Sequence, residues 1–177
     1  MKKILLLTAL FVFNFGFSQK PLTSSLENLD QKFLKKFHIK KDVFDNKTVI
    51  YEKKSYGQNI RIKPYLVIKD GLVFYRVGLM FDGYSEWPDM HTFKFLIDDQ
   101  VYNLPLGETR KKISHQITAV ETSNLLLNDE EIEIFRKVGS AKTPVQYRIS
   151  GNKNTDLKLY VNSYIKITKE LYDMLTK

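Results

Sequence analysis

The stretch 60–81 reads IRIKPYLVIK-DG-LVFYRVGLMF, two runs of β-forming residues joined by Asp70-Gly71. Asp-Gly is a favoured pair for the two-residue type I′ turn, because both central residues need φ > 0 and the twist of the turn matches that of the strands. A turn there pairs Lys69 with Leu72 and Ile68 with Val73, and the register continues outward. One face then collects Ile60, Ile62, Leu66 and Ile68 opposite Val73, Tyr75, Val77, Leu79 and Phe81. The other collects Arg61, Lys63, Tyr65 and Lys69 opposite Leu72, Phe74, Arg76 and Met80. A slip of one residue would scatter the apolar set over both faces. Turn and pattern therefore agree on a half-buried antiparallel sheet.

The same alternation recurs downstream. A second hairpin spans 92–106; a turn at Asp99-Gln100, or a four-residue loop in the same register, pairs Ile97 with Tyr102, Phe95 with Leu104 and Phe93 with Leu106. Residues 48–52 predict a strand, and 113–127 a long or bulged strand whose alternation changes phase near Ala119-Val120. Val145, Tyr147 and Ile149 oppose Leu157, Leu159 and Val161 across a turn at 151–154.

Three helices are predicted around these strands. The first covers 25–37, with Ser24 and Glu27 as a capping box and Leu26, Leu29, Phe33 and Phe37 as its apolar stripe. The second starts at Asn128, with Glu131 completing a box, Leu127 and Ile132 as a staple, and Ile132, Phe135 and Val138 facing the core. Gly139 stands where a left-handed residue would end it. The third runs from Asn162 or Ser163 to about Thr176. Strands without βαβ alternation give an α+β fold, an antiparallel β-sheet or sandwich-like core of about seven strands with an N-terminal, an internal and a C-terminal helix.

The chain begins MKKILLLTALFVFNFGFSQ. Lys2 and Lys3 precede an apolar run too short to span a bilayer comfortably, and Gly16 and Ser18 place small residues before Gln19. Residues 1–18 thus read as a secretory signal peptide of the general export route, leaving 19–177 as a single domain. No cysteine is present. That excludes a thiol nucleophile, cysteine-ligated metals and a lipid-modified N-terminus, and a domain of this size needs no disulfide to close its core. The net charge of +8 includes Lys2 and Lys3 and is otherwise spread along the chain.

In the C-terminal half, a strand with Glu121-Thr122, the helix start Asn128-Asp129-Glu130-Glu131, the strand end Tyr147-Arg148-Ile149-Ser150-Gly151 and a closing helix follow one another. In this order they resemble uncharacterised secreted β-rich domains of bacteria, a resemblance that implies an exported fold and carries no activity with it.

Motifs for chemistry are sparse. The chain has no Gly-rich phosphate loop, H-E-x-x-H, G-x-S-x-G or EF-hand pattern. Ser163 and Lys166 match S-x-x-K without its companion motifs, so Ser163 reads as a helix cap. His38, His91 and His115 lack metal-ligand spacing, and no metal or cofactor is expected. The one unusual constellation is the loop 82–91, DGYSEWPDMH, which holds the only tryptophan. Tyr84 and Trp87 suit stacking on a sugar or anchoring a partner, and Glu86, Asp89 and His91 complete the candidate ligand site. Asp82, Glu86 and Asp89 also offer oxygen ligands for calcium. In the plainer alternative Gly83 and Pro88 shape a turn and Trp87 covers the sheet edge. Scattered lysines without a recognition motif do not point to nucleic acid. The expectation is an exported, periplasmic or extracellular, non-enzymatic protein that binds a protein, glycan or lipid of the envelope through its sheet or this loop. A small secreted hydrolase with a dispersed site is the alternative.

Overall fold

The computed structural model describes residues 19–56, 62–83, 89–114, 118–142, 144–152, 154–160 and 162–177. Residues 1–18, read above as a leader, lie outside them. The chain opens with β1 (Gln19–Pro21), a 3-10 turn (Leu26–Asn28) and one turn of helix, α1 (Gln31–Leu34). Strands β2 (Phe37–Asp42) and β3 (Lys47–Glu52) and a second helical turn, α2 (Lys53–Tyr56), come next. The central hairpin is β4 (Ile62–Lys69) and β5 (Leu72–Gly83). Then follow β6 (Thr92–Ile97), β7 (Gln100–Pro105), β8 (Thr109–Ser114), β9 (Thr118–Leu126), α3 (Asp129–Ser140), β10 (Val145–Ser150), β11 (Thr155–Leu159) and α4 (Ser163–Thr176). The fold is α+β, with two antiparallel sheets, where a single sheet or a sandwich-like core of about seven strands was expected. A seven-stranded sheet has the order β2-β3-β4-β5-β9-β8, with β1 also on β5, and a four-stranded sheet has the order β11-β10-β6-β7.

The large sheet is built on the hairpin the sequence announces. Lys69 pairs with Leu72 and Ile68 with Val73, and Asp70 (φ 51°) and Gly71 (φ 73°) form a left-handed turn of type I′ sense. Ile62, Leu66, Val73, Tyr75, Val77 and Leu79 are buried on the inner face. β4 takes one edge of β5, while β1 and β9 share the other.

Several expectations give way. The helix predicted over 25–37 is broken. Leu29 is extended (ψ 157°) after Leu26–Asn28, and Asp30 accepts a hydrogen bond from the Lys32 N–H to start α1 anew. An aspartate that caps locally competes with helix continuation, and Ser25 at the first turn makes no side-chain cap. From Phe37 the chain instead pairs with β3 as an edge strand. The apolar spacing still serves packing, since Phe33 and Phe37 lie 5.5 Å apart and Leu26 and Leu29 are packed on the core.

The second hairpin turns at Asp98 and Asp99 (φ 48° and 60°), so Phe95 pairs with Tyr102 and Phe93 with Leu104. This is two residues from the expected register, and a two-residue shift keeps every side chain on its face. Aspartate tolerates the left-handed region well enough for the tighter turn. The long strand expected over 113–127 is the hairpin partners β8 and β9, and the charged segment before it is part of β8. The phase change expected near Ala119-Val120 falls within β9 and not between the two strands.

The helices join the sheets. Asn128 and Glu131 form the reciprocal capping box of α3. Gly139 does not end α3 in a left-handed conformation: the helix continues through Ser140, and Gly139 is buried where α4 crosses. A Cβ on it would lie 2.9 Å from both the N and Cα of Lys166. Asn162, the N-cap residue of α4, donates from Nδ2 to the carbonyls of Val138 (2.9 Å) and Ala141 (3.0 Å), closing the end of α3. Phe135 of α3 spans the core, its ring 5.5 Å from Phe95 of the small sheet and 6.4 Å from Tyr75 of the large one. α4 lies against β3, β4 and β5 and buries Ile165, Leu171, Tyr172 and Leu175. Thr23 donates from its N–H and its hydroxyl to the carbonyl of Leu175, tying the first described residues to the last helix. No helix among the described residues is long and apolar enough to cross a membrane.

Candidate functional site

Of the loop residues singled out in the sequence, Asp89 and His91 are described, and Tyr84, Glu86 and Trp87 lie outside the described residues. Asp89 (φ 44°) is held from two sides. Its carboxylate accepts from Lys111 of β8 and, at 2.6 Å, from Asn152 beyond β10. The hydrogen bond from Lys111 holds the Asp89 carboxyl below the usual carboxylate range, and the Lys111 ammonium is raised in turn. The Met90 N–H donates to Oε1 of the buried Glu121 (3.1 Å). The His91 N–H donates to the Ser150 carbonyl (2.8 Å), while the His91 side chain is exposed. These bonds fasten the end of the loop between an edge of the large sheet and the small sheet. Asp89 is a clamp in this arrangement, with both carboxylate oxygens engaged.

The histidines are not gathered. His38 lies beside Tyr51 on the large sheet (centroids 5.4 Å apart), His91 follows the loop, and His115 is outside the described residues. Among the described residues no group of three His, Asp or Glu side chains stands close enough to hold a metal. Ser163 and Lys166 are both exposed in the first turn of α4, where Asn162 takes the N-cap position. Inside the core, burial pushes the phenols of Tyr75 and Tyr164 well up, so both stay neutral.

The outer face of the large sheet has a different character. Side chains directly opposite in an antiparallel pair share a face, so the registers define a row across five strands: His38, Tyr51, Tyr65, Arg76 and Leu126. A parallel row on the same face holds Lys40, Val49, Val67 and Phe74, and Lys40 Nζ lies 5.6 Å from the Tyr51 ring. Lys63, Lys69, Arg110 and Lys112 share this face and make no ion pair among the described residues. At the β2–β3 end Lys47 is paired with Asp42 and Asp45. The carboxylates of Glu52 and Glu121 point the other way, into the core. By register the same face carries Asp42, paired with Lys47, and Asp82 opposite Val120, so its basic residues outnumber its acidic ones and positive potential predominates.

Arg76 stands near the middle of the row. It is half-buried between Tyr65 on β4 and Leu126 on β9, and its Nε is shielded from water with no hydrogen-bond partner among the described residues. A desolvated cationic donor without an acceptor carries a free-energy cost that native structures seldom tolerate without reason. The contrast with Arg148 is direct. A groove of about 190 Å³ on the outside of the small sheet is lined by Lys94, Leu96, Val101, Gln146 and Arg148, but there the guanidinium is satisfied by both oxygens of Asp156. Sequence reasoning placed Tyr65 and Arg76 on one face of the hairpin; the rest of the row comes from strands it could not order. Compared with protein-family models, with curated proteins and with solved structures, the chain matches none.

Proposed function

We propose that the chain is an exported, non-enzymatic binding protein of the cell envelope or its exterior, whose large sheet offers its outer face to an acidic glycan. The observation that carries this reading is that Lys63, Lys69, Arg110 and Lys112 on that face make no ion pair among the described residues and stand among Tyr51, Tyr65 and Phe74. Cations on rigid strands raise the local concentration of a polyanion and speed its association. Aromatic side chains supply contact area at little entropic cost. The loop 82–91 leaves β5 and is anchored at Asp89; its Tyr84, Glu86 and Trp87 are proposed as further contacts on their residue types alone.

Binding is checked by retention on immobilised dextran sulfate over a salt gradient. Replacing Lys69 and Lys112 together by glutamate should weaken retention about tenfold at low salt, an effect that fades as salt screens the charges. Lys158→Glu, on the outer side of the small sheet, should change it little. Equal losses in both proteins, or no retention of the wild type at low salt, would sink the acidic-glycan reading.

Export rests on the leader, with Lys2 and Lys3, the apolar run and the small residues Gly16 and Ser18 before Gln19. The intact mass of protein recovered from outside the cytoplasm should correspond to a chain beginning at Gln19. A mass that retains residues 1–18 refutes the cleavage.

A further inference from the structure

We infer that Arg76 is the residue that reads a carboxylate of the glycan, so that the ligand is a chain of uronic-acid rings; this rests on the acidic-glycan reading above. Three observations converge on it. Arg76 and Lys63 are the half-buried cations of the outer face, and of the two it is Arg76 that has a shielded, unpartnered nitrogen, whereas Lys69, Arg110 and Lys112 are exposed. An ion pair formed where water is partly excluded is stronger than one formed in open solvent. Among the described residues nothing bonds the shielded Arg76 Nε, while the terminal nitrogens of its fork are not both shielded and unpartnered. A carboxylate arriving at that fork supplies the countercharge that the protein itself withholds, and does so bidentately, as a planar guanidinium and a planar carboxylate can.

The row sets the geometry of the rest of the ligand. Tyr51, Tyr65 and Arg76 sit on three successive strands. Neighbouring strands lie about 4.8 Å apart, close to the advance per ring of an extended pyranose chain. A glycan laid across the strands can therefore place one ring's carboxylate on Arg76 while the next two rings lie over Tyr65 and Tyr51. A sulfate ester would find the same cations. It does not match the two-oxygen, in-plane geometry, and so should depend less on Arg76 than on total charge.

The test is calorimetric titration of the full-length mature protein with oligogalacturonate, and with dextran sulfate as a probe of charge alone. Arg76→Lys keeps the charge and removes the fork. It should weaken oligogalacturonate binding about tenfold while leaving dextran sulfate binding within about twofold. Arg76→Met should show the same loss for oligogalacturonate with a thermal midpoint equal to or above that of the wild type, because it removes an uncompensated buried donor. The midpoint of each variant separates a ligand role from a folding defect. If both variants bind oligogalacturonate like the wild type, Arg76 does not read the carboxylate and the wider face reading stands. If both lose the two probes in parallel, Arg76 is one charge among several, and the uronate assignment falls. If the wild type binds neither probe, the face reading fails with it.

Discussion

Gly139→Val should lower stability by about 3 kcal/mol, and Gly139→Ala by about half that, as overpacking of a closed contact does. The added Cβ would stand 2.9 Å from the backbone N and Cα of Lys166. Backbone cannot rotate aside as a long side chain can, so α3 and α4 must separate. Separation also pulls Asn162 away from the Val138 and Ala141 carbonyls that it caps. Chemical denaturation followed by far-ultraviolet dichroism reads the loss. A midpoint for the valine variant equal to that of the wild type would mean that the two helices do not cross where Gly139 places them.

Phe135→Ala is the second large effect expected, with a loss of about 3–5 kcal/mol. Phe135 is fully buried and touches an aromatic ring from each sheet, Phe95 on one side and Tyr75 on the other. Tyr75 in turn meets Tyr172 edge-on at 5.5 Å, and Phe93 stacks on Tyr147 at 5.3 Å, so the cavity would open in the middle of one continuous aromatic core. Two probes, one on each sheet, should then unfold together at the lower midpoint. A variant as stable as the wild type would show that the sheets are held together by other contacts.

The contrast between what could and could not be read in the sequence follows from how local each signal is. Asp70-Gly71 dictates its hairpin because turn chemistry and alternation sit within a few residues of each other, and Asn128 with Glu131 specifies the start of α3 for the same reason. At Asp98-Asp99 the two candidate turns leave the alternation unchanged, so periodicity picks the face and not the register. The segment His38-Ile39-Lys40-Lys41 carries no apolar alternation because β2 is an edge strand whose side chains are exposed along most of its length; lysines there guard against pairing with another sheet. Read without its partner, that segment carries no strand signal. Gly139 stands where the general preference for glycine after a helix predicts a stop, but the helix runs on and the crossing of α4 gives it a different task. The candidate site was legible in halves. The hairpin pattern brings Tyr65 beside Arg76, but His38, Tyr51 and Leu126 join the row through strand order, which no local pattern encodes. The loop 82–91 stood out by composition, and its described end proves to be an anchor through Asp89.

The bond between Thr23 and Leu175 joins residues 152 positions apart, so the two ends of the domain are secured to each other late. Until α4 has been synthesised, the inner sides of β3, β4 and β5 lack the helix that covers them, and Thr23 has no carbonyl to meet. Contacts of such long sequence separation form slowly, because loop closure must precede them. The covering of the inner faces of β3, β4 and β5 therefore waits on α4.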